Sequence, residues 1–160
     1  MSGSEQAERR ERAQQEQERQ RNLAEQVRRK VLASRERFWE PDHFGYEQRR
    51  AIQAALARLA DQGELLRIRR GLYWRGRPAP SGMSRPTPLQ ICAALCGPEG
   101  LGPSGLSARY SLGLVSERPP SERIAVPRRL PRQLRGLQMV SRAGREGRVR
   151  ERLNHFEVAL

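Results

Sequence analysis

Apolar residues first recur at helical spacing from Leu23 onward. Leu23, Val27 and Val31 lie four residues apart, so they share one face of a predicted amphipathic helix. Residues 1–21 are almost entirely polar and offer no face that could be buried. A stretch of this kind is typical of a fraying helix or a disordered arm.

The pattern then predicts a short strand at 38–39 and a short helix over about 41–44, which begins at Pro41. A longer helix follows over about 46–62, and Gly63 is placed to end it. The predicted buried stripe of this helix consists of Ile52, Ala55, Leu56, Leu59 and Ala60.

A basic β-hairpin is predicted directly after this helix. Leu66 and Ile68 alternate with Arg67 and Arg69, which is the period of a strand. Arg70-Gly71 supplies the turn, and residues 72–74 begin the return strand. Three helices and a hairpin in this order are typical of a winged helix-turn-helix, which we expect over residues 22–77.

Residues 78–87 lie in a stretch rich in proline and glycine and predict a linker. Residues 88–160 predict a small mixed α/β domain, so the fold class expected is α+β. Its expected elements are helices over 88–96 and about 104–112, strands over 124–126 and 137–140, a basic stretch over 141–152 and the start of an apolar helix at 156–160. The sequence stops inside that last helix, so either the natural protein ends bluntly or this chain is a fragment of a longer one.

Charge adds a partner class to this picture. The formal net charge is +13 and the pI is about 11.4, which favours a polyanionic partner such as DNA, RNA or an acidic protein surface. All but one of the 31 basic residues are arginine, a bias that base composition in a GC-rich genome also explains. A polar, Glu-rich N-terminus, the lack of a long apolar run and only two cysteines favour a cytoplasmic protein without a membrane span.

The predicted winged helix offers two sets of candidate DNA contacts. Base edges in the major groove are read best by Arg, Asn and Gln, and the hairpin is placed to reach phosphates or the minor groove. We expect the helix to give sequence preference and the hairpin to give sequence-neutral affinity. The candidates are Gln48, Arg49, Arg50 and Gln53 on the helix, and Arg67, Arg69 and Arg70 on the hairpin.

Other chemistries find little support. Cys92 and Cys96 share a helix face, but without a second ligand pair they are expected to be small buried hydrophobes and not a metal site. The glycine-rich loop 97–105 lacks the ending of a P-loop. His43 and His155 have no nucleophile or paired carboxylates at informative spacing. We therefore expect no enzyme activity, no cofactor and no metal.

Two ordered motifs resemble one family. FWEPDHF followed by ALARLADQGELLRIRRGLYW looks like the N-terminal domain of AbiEi-type antitoxins of type IV toxin–antitoxin systems. GLGPSGLSARYSLGL followed by ERIAVPRR is similar to the start of the C-terminal domain of that family. The resemblance covers about residues 23–160 and implies a regulator that represses its own operon and neutralises a nucleotidyltransferase toxin. The chain departs from the family in its long polar N-terminal arm and in ending before a full C-terminal domain would close.

Two other functions stay open at this stage. In a protein-interaction module, the basic second domain would bind a toxin or a larger assembly, and the winged helix would be a scaffold whose arginines are solvated charge. An RNA-binding accessory factor is the weaker alternative, because the sequence lacks surface-aromatic motifs such as those of RRM sheets.

Overall fold

A computed structural model describes residues 3–127, 134, 136–141 and 157–158. The described chain mixes helices and strands, which confirms the α+β class. Its contacts divide it into two compact units, Met1–Arg85 and Pro86–Leu160. Most of the predicted basic stretch at 141–152, His155 and most of the predicted final helix lie outside the described residues, although 157–158 are helical.

The first unit begins with one long helix, α1, over Gly3–Leu32. Its N-terminal two thirds are exposed, whereas Val27 and Val31 near its end are fully buried. The helical alternative for the polar arm therefore agrees with the structure. The helix continues without a break through residue 22, where the sequence indicated a domain boundary.

A three-stranded antiparallel sheet packs beside two helical elements in this unit. Strand β3 lies in the middle, in the order β1-β3-β2. The elements are β1 at Arg37–Trp39, a 3₁₀ helix at Pro41–Phe44, α2 at Arg49–Asp61, β2 at Leu66–Arg69 and β3 at Leu72–Arg75. These follow the predicted order.

Local backbone chemistry sets both ends of α2. The helix begins at Arg49 and not at Tyr46 as the sequence predicted, because Gln48 adopts a left-handed conformation with φ 58°. At the other end Gly63 has φ +78°, and its N–H donates to the Ala60 carbonyl. The Glu64 N–H donates to the Leu59 carbonyl at 2.9 Å. This pair of bonds is a Schellman motif, which confirms Gly63 as the helix stop.

The core of the first unit lies between the two helices and one face of the sheet. Trp39 and Tyr73 are neighbours across β1 and β3 and supply the largest buried side chains of that face. The helices cover them with Val27 and Val31 from α1 and with the apolar stripe of α2. The predicted stripe is confirmed at Ile52, Ala55, Leu56 and Leu59, which are all buried, while Ala60 packs at the edge of the core.

The opposite face of the sheet is covered by residues 76–84, here called the strap. The strap contains a small antiparallel pair, β4 at Pro78–Ala79 and β5 at Gly82–Met83. Ser84 accepts a 2.7 Å hydrogen bond from the Trp74 indole N–H through its carbonyl oxygen, and its hydroxyl donates to Glu36 at 2.7 Å. Residues 78–84, predicted as part of a linker, thus belong to the first unit.

In the second unit, a small sheet packs against a helix. Helix α3 spans Pro88–Cys96 as predicted, and Thr87 begins it with a capping box to Gln90. The other elements are β6 at Gly102–Pro103, α4 at Leu106–Ser111, β7 at Arg123–Val126 and β8 at Gln138–Ser141. The sheet order is β6-β7-β8, with β6 antiparallel and β8 parallel to the central β7.

Two predictions within the second unit need correction. The glycine-rich loop is not wholly a connector, because Gly102 and Pro103 pair with Ala125 and Ile124 as a strand. Helix α4 consequently begins two residues later than predicted, after Gly105 turns the chain with φ +58°.

Candidate nucleic-acid interface

The entrance to α2 carries three of the predicted contact residues on exposed positions. Gln48 stands just before the helix as its N-cap, so it is not a helical residue as predicted. Arg49 and Arg50 form the first helical positions. The Arg49 guanidinium donates to the Asp42 carboxylate on the 3₁₀ helix. Arg49 therefore has an acidic partner in the free protein, whereas the side chain of Arg50 is exposed to solvent.

Gln53 has a different role from the one the sequence suggested. It is only half-exposed, and its Nε2 donates a 2.6 Å hydrogen bond to the Tyr73 hydroxyl on β3. Its Oε1 also lies 3.7 Å from the position that a Cβ would take on Gly71 at the hairpin turn. Gln53 thus ties α2 to the hairpin, and its amide is engaged inside the protein.

The β2–β3 hairpin presents Arg67, Arg69 and Arg70 to solvent, as predicted. The turn closes through Gly71, whose φ of +84° suits glycine. Exposure alternates along β2 as the sequence predicted, although the pairing with β3 shifts in register between Arg67 and Arg69. A shift of this kind bends a strand and changes the direction of its side chains.

Charge on this surface is poorly compensated within the described part of the chain. Among the ion pairs found there, Arg49 is the one candidate contact residue with a carboxylate partner. Carboxylate partners within the described residues are absent for Arg50, Arg67, Arg69 and Arg70. Four exposed guanidiniums on two elements joined by the Gln53–Tyr73 bond form a positive surface to which a polyanion is attracted.

Sequence reasoning missed the two residues that hold this surface together. The sequence predicted Tyr73 only as part of the return strand, whereas in the structure its hydroxyl accepts the hydrogen bond from Gln53. Asp42 lies in the first turn of the 3₁₀ helix, and its carboxylate pairs with Arg49. That pairing depends on the tight turn over 45–48, which apolar spacing does not report.

The two cysteines are buried in the core of the second unit, as the sequence analysis predicted. Burial, with the nearby Cys96 thiol, raises the pKa of Cys92 to about 12. The Cys92 thiol therefore stays protonated at neutral pH, which disfavours it as a metal ligand. None of the described helices has the length and apolar character needed to cross a membrane.

Comparison with known proteins found no relative: no protein-family model, curated protein or solved structure matches this chain. The AbiEi resemblance, with the function it implies, therefore remains an expectation from the sequence motifs.

Proposed function

We propose that the first unit is a winged helix-turn-helix that binds duplex DNA, and that the protein is a sequence-specific transcriptional regulator of the bacterial cytoplasm. The order of helix, strand, short helix, helix and hairpin supports this proposal, as does the antiparallel sheet order β1-β3-β2. The two AbiEi-like motifs support a more specific role within this proposal. In that role the protein is an autorepressing antitoxin of a type IV toxin–antitoxin system whose toxin is a nucleotidyltransferase.

The observation that carries the proposal is the uncompensated charge of the joined α2–hairpin surface. Arginines exposed on a helix entrance and on an adjoining hairpin match the two places at which winged helices meet DNA, the major groove and the flanking backbone. Because Gln53 and Tyr73 join the two elements, they can present their charges to one duplex together.

In this mechanism the entrance of α2 lies in the major groove. Arg49 exchanges its bond to Asp42 for a base edge, and Arg50 contacts the same groove or its rim. Arg67, Arg69 and Arg70 contact phosphates, which adds affinity without sequence information. Gln48 is free to contact a base from the N-cap position, whereas Gln53 acts as a positioning residue.

The test is titration of the full chain with its own upstream DNA and with a scrambled duplex over a series of salt concentrations. Arg69→Ala is expected to weaken both duplexes alike and to reduce the salt slope by about one. Arg49→Ala is expected to weaken the upstream site more than the scrambled duplex. Arg109→Ala, which removes one exposed charge from the second unit, is the matched control. Parent-like binding by both Arg69→Ala and Arg49→Ala would overturn the proposal.

One observation favours the alternative, a protein-interaction module. Leu106, Tyr110 and Leu114 recur every four residues on and just after α4 and are exposed. Burial of exposed apolar side chains is a driving force for protein association. In this alternative the chain binds the toxin through the second unit. The interaction module is favoured if the chain forms a complex with the nucleotidyltransferase that resists salt and is lost in Leu114→Ser. It also requires that the parent chain does not bind DNA.

A further inference from the structure

A second cluster of arginines lies at the other end of β3, away from the hairpin turn. Here the chain forms an open cleft of about 540 Å³, lined by Ser34, Arg35, Glu36, Arg75, Gly76, Arg77 and Pro78. We call it the basal cleft. The length of β3 separates it from the turn by about 10 Å. Its volume is that of a small-ligand site.

The residues that line the basal cleft include three arginines and one glutamate, a formal charge of +2. The carboxylate of Glu36 already has two partners, the Ser84 hydroxyl at 2.7 Å and the Arg77 guanidinium at 3.0 Å. Within the described residues Arg35 has no acidic partner. The described residues therefore leave part of the positive charge of the cleft without a carboxylate partner.

The sheet brings one further arginine, which does not line the cleft, close to Arg75. Arg37 lies directly opposite Arg75 in the register of β1 and β3. Like charges at opposed positions of neighbouring strands destabilise a sheet. Arg75 directs one donor to the Glu64 carbonyl at 3.0 Å, and Arg37 stacks on Trp39, but neither contact supplies a negative charge. A bound anion would relieve the repulsion.

Close packing fixes the wall of the cleft. Gly76 is buried, and a Cβ at this position would lie 2.2 Å from the Ser84 carbonyl oxygen. The Arg77 N–H also donates to the Ser84 hydroxyl at 2.9 Å. The backbone that carries Arg75 and Arg77 is therefore held in place before any ligand arrives, which lowers the ordering cost of binding.

We propose that the basal cleft binds a phosphoryl group, held by Arg35, Arg75 and Arg77. Guanidinium groups bind phosphate oxygens through paired, charge-assisted hydrogen bonds. The phosphoryl group comes either from a second stretch of nucleic-acid backbone or from a free phosphorylated ligand. In both cases the site is separate from the proposed DNA surface on α2 and the hairpin.

The test is calorimetric titration of the full chain with inorganic pyrophosphate. The parent is expected to show saturable binding at one site per chain. Arg35→Gln is expected to weaken it by about tenfold, the size of one charge-assisted hydrogen bond, and Arg77→Gln by more because it also releases the Glu36 charge. Arg109→Gln, which changes an exposed arginine of the second unit, is the matched control and keeps parent affinity.

A sign test separates direct binding from a structural role. Glu36→Gln removes the one negative charge of the cleft and keeps an oxygen that can accept from Ser84 and Arg77, so pyrophosphate should bind more tightly. An Arg67→Gln, Arg69→Gln double variant should bind pyrophosphate like the parent. Absence of saturable binding, a parent-like Arg35→Gln, a weakened Glu36→Gln or a weakened double variant would each overturn the proposal.

Duplex titrations over salt then distinguish the two sources. A salt slope reduced by about one in Arg35→Gln identifies nucleic-acid backbone as the occupant. An unchanged slope, together with weakened pyrophosphate binding, identifies a free phosphorylated ligand.

Discussion

The two faces of the first unit's sheet bury a tryptophan each, but by different means. On one face Trp39 lies under α1 and α2, and its indole N–H donates to the Ser34 hydroxyl at 3.2 Å. On the other face Trp74 lies against Phe38, and its indole N–H donates to the Ser84 carbonyl of the strap at 2.7 Å. Helices α1 and α2 cover the face that carries Trp39, whereas the strap, with its two-residue strands, covers the face that carries Trp74.

The difference shows that a buried sheet face can be covered by a segment that has no hydrophobic periodicity. The helical face is held by many apolar side chains in one cluster. The strap holds its face through close backbone approach at Gly76 and a few hydrogen bonds around Ser84. We therefore expect substitutions on the helical face to affect the whole unit, and substitutions at the strap to act more locally.

The largest expected effect is on the helical face. Leu56 on α2 is fully buried in the core of the first unit, and Leu56→Ala should lower the free energy of unfolding by about 2–5 kcal/mol, because it leaves a cavity in that core. Urea unfolding followed by tryptophan fluorescence measures this, since both tryptophans belong to the first unit. A loss no greater than that of an exposed substitution such as Ala54→Ser would contradict a core at this position.

A smaller effect is expected at the strap. Gly76→Ala places a methyl group against the Ser84 carbonyl, and the resulting shift should cost about 1–3 kcal/mol. Hydrogen exchange should rise in residues 76–84 while α2 stays protected. Ser81→Ala, an exposed change in the same segment, is the control. If exchange rises equally in α2 and the strap, the two faces are not independent.

The smallest expected effect is a change in pH dependence. The hydrogen bond from the Ser84 hydroxyl, with help from Arg77, lowers the pKa of Glu36 below its ordinary 4.5. A lowered folded-state pKa adds stability that is present above the ordinary value and is lost as pH falls through the folded one.

Glu36→Gln should therefore flatten the stability of the first unit against pH below about 4.5. Urea unfolding at a series of acid pH values measures the slope. Glu47→Gln, which changes an exposed carboxylate, should leave the slope as in the parent chain. Equal slopes for the parent and Glu36→Gln would show that the strap does not stabilise the Glu36 carboxylate.

The same contrast explains what the sequence could predict. The stripe of Ile52, Leu56 and Leu59 is visible because a helix repeats its buried positions, and Gly63 and Gly71 mark the helix stop and the turn because of their backbone freedom. The strap has no such period, and its prolines and glycines look like a linker. Its attachment depends on pairs far apart in sequence, such as Glu36 with Ser84.

The candidate interface divides in the same way. The exposure of the hairpin arginines follows from strand alternation and could be predicted. The bond from Gln53 to Tyr73 and the pairing of Arg49 with Asp42 could not, because both need the elements to be brought together first. Periodicity places a side chain on a face but does not show which neighbour it meets.

The left-handed backbone of Gln48 has a consequence for heat tolerance. Among the described residues it is the one non-glycine position with positive φ, and a side chain there costs about 1–2 kcal/mol. A glycine would adopt the same conformation without that strain. Residue 48 is thus a place at which a substitution by glycine is expected to raise the melting temperature of the first unit.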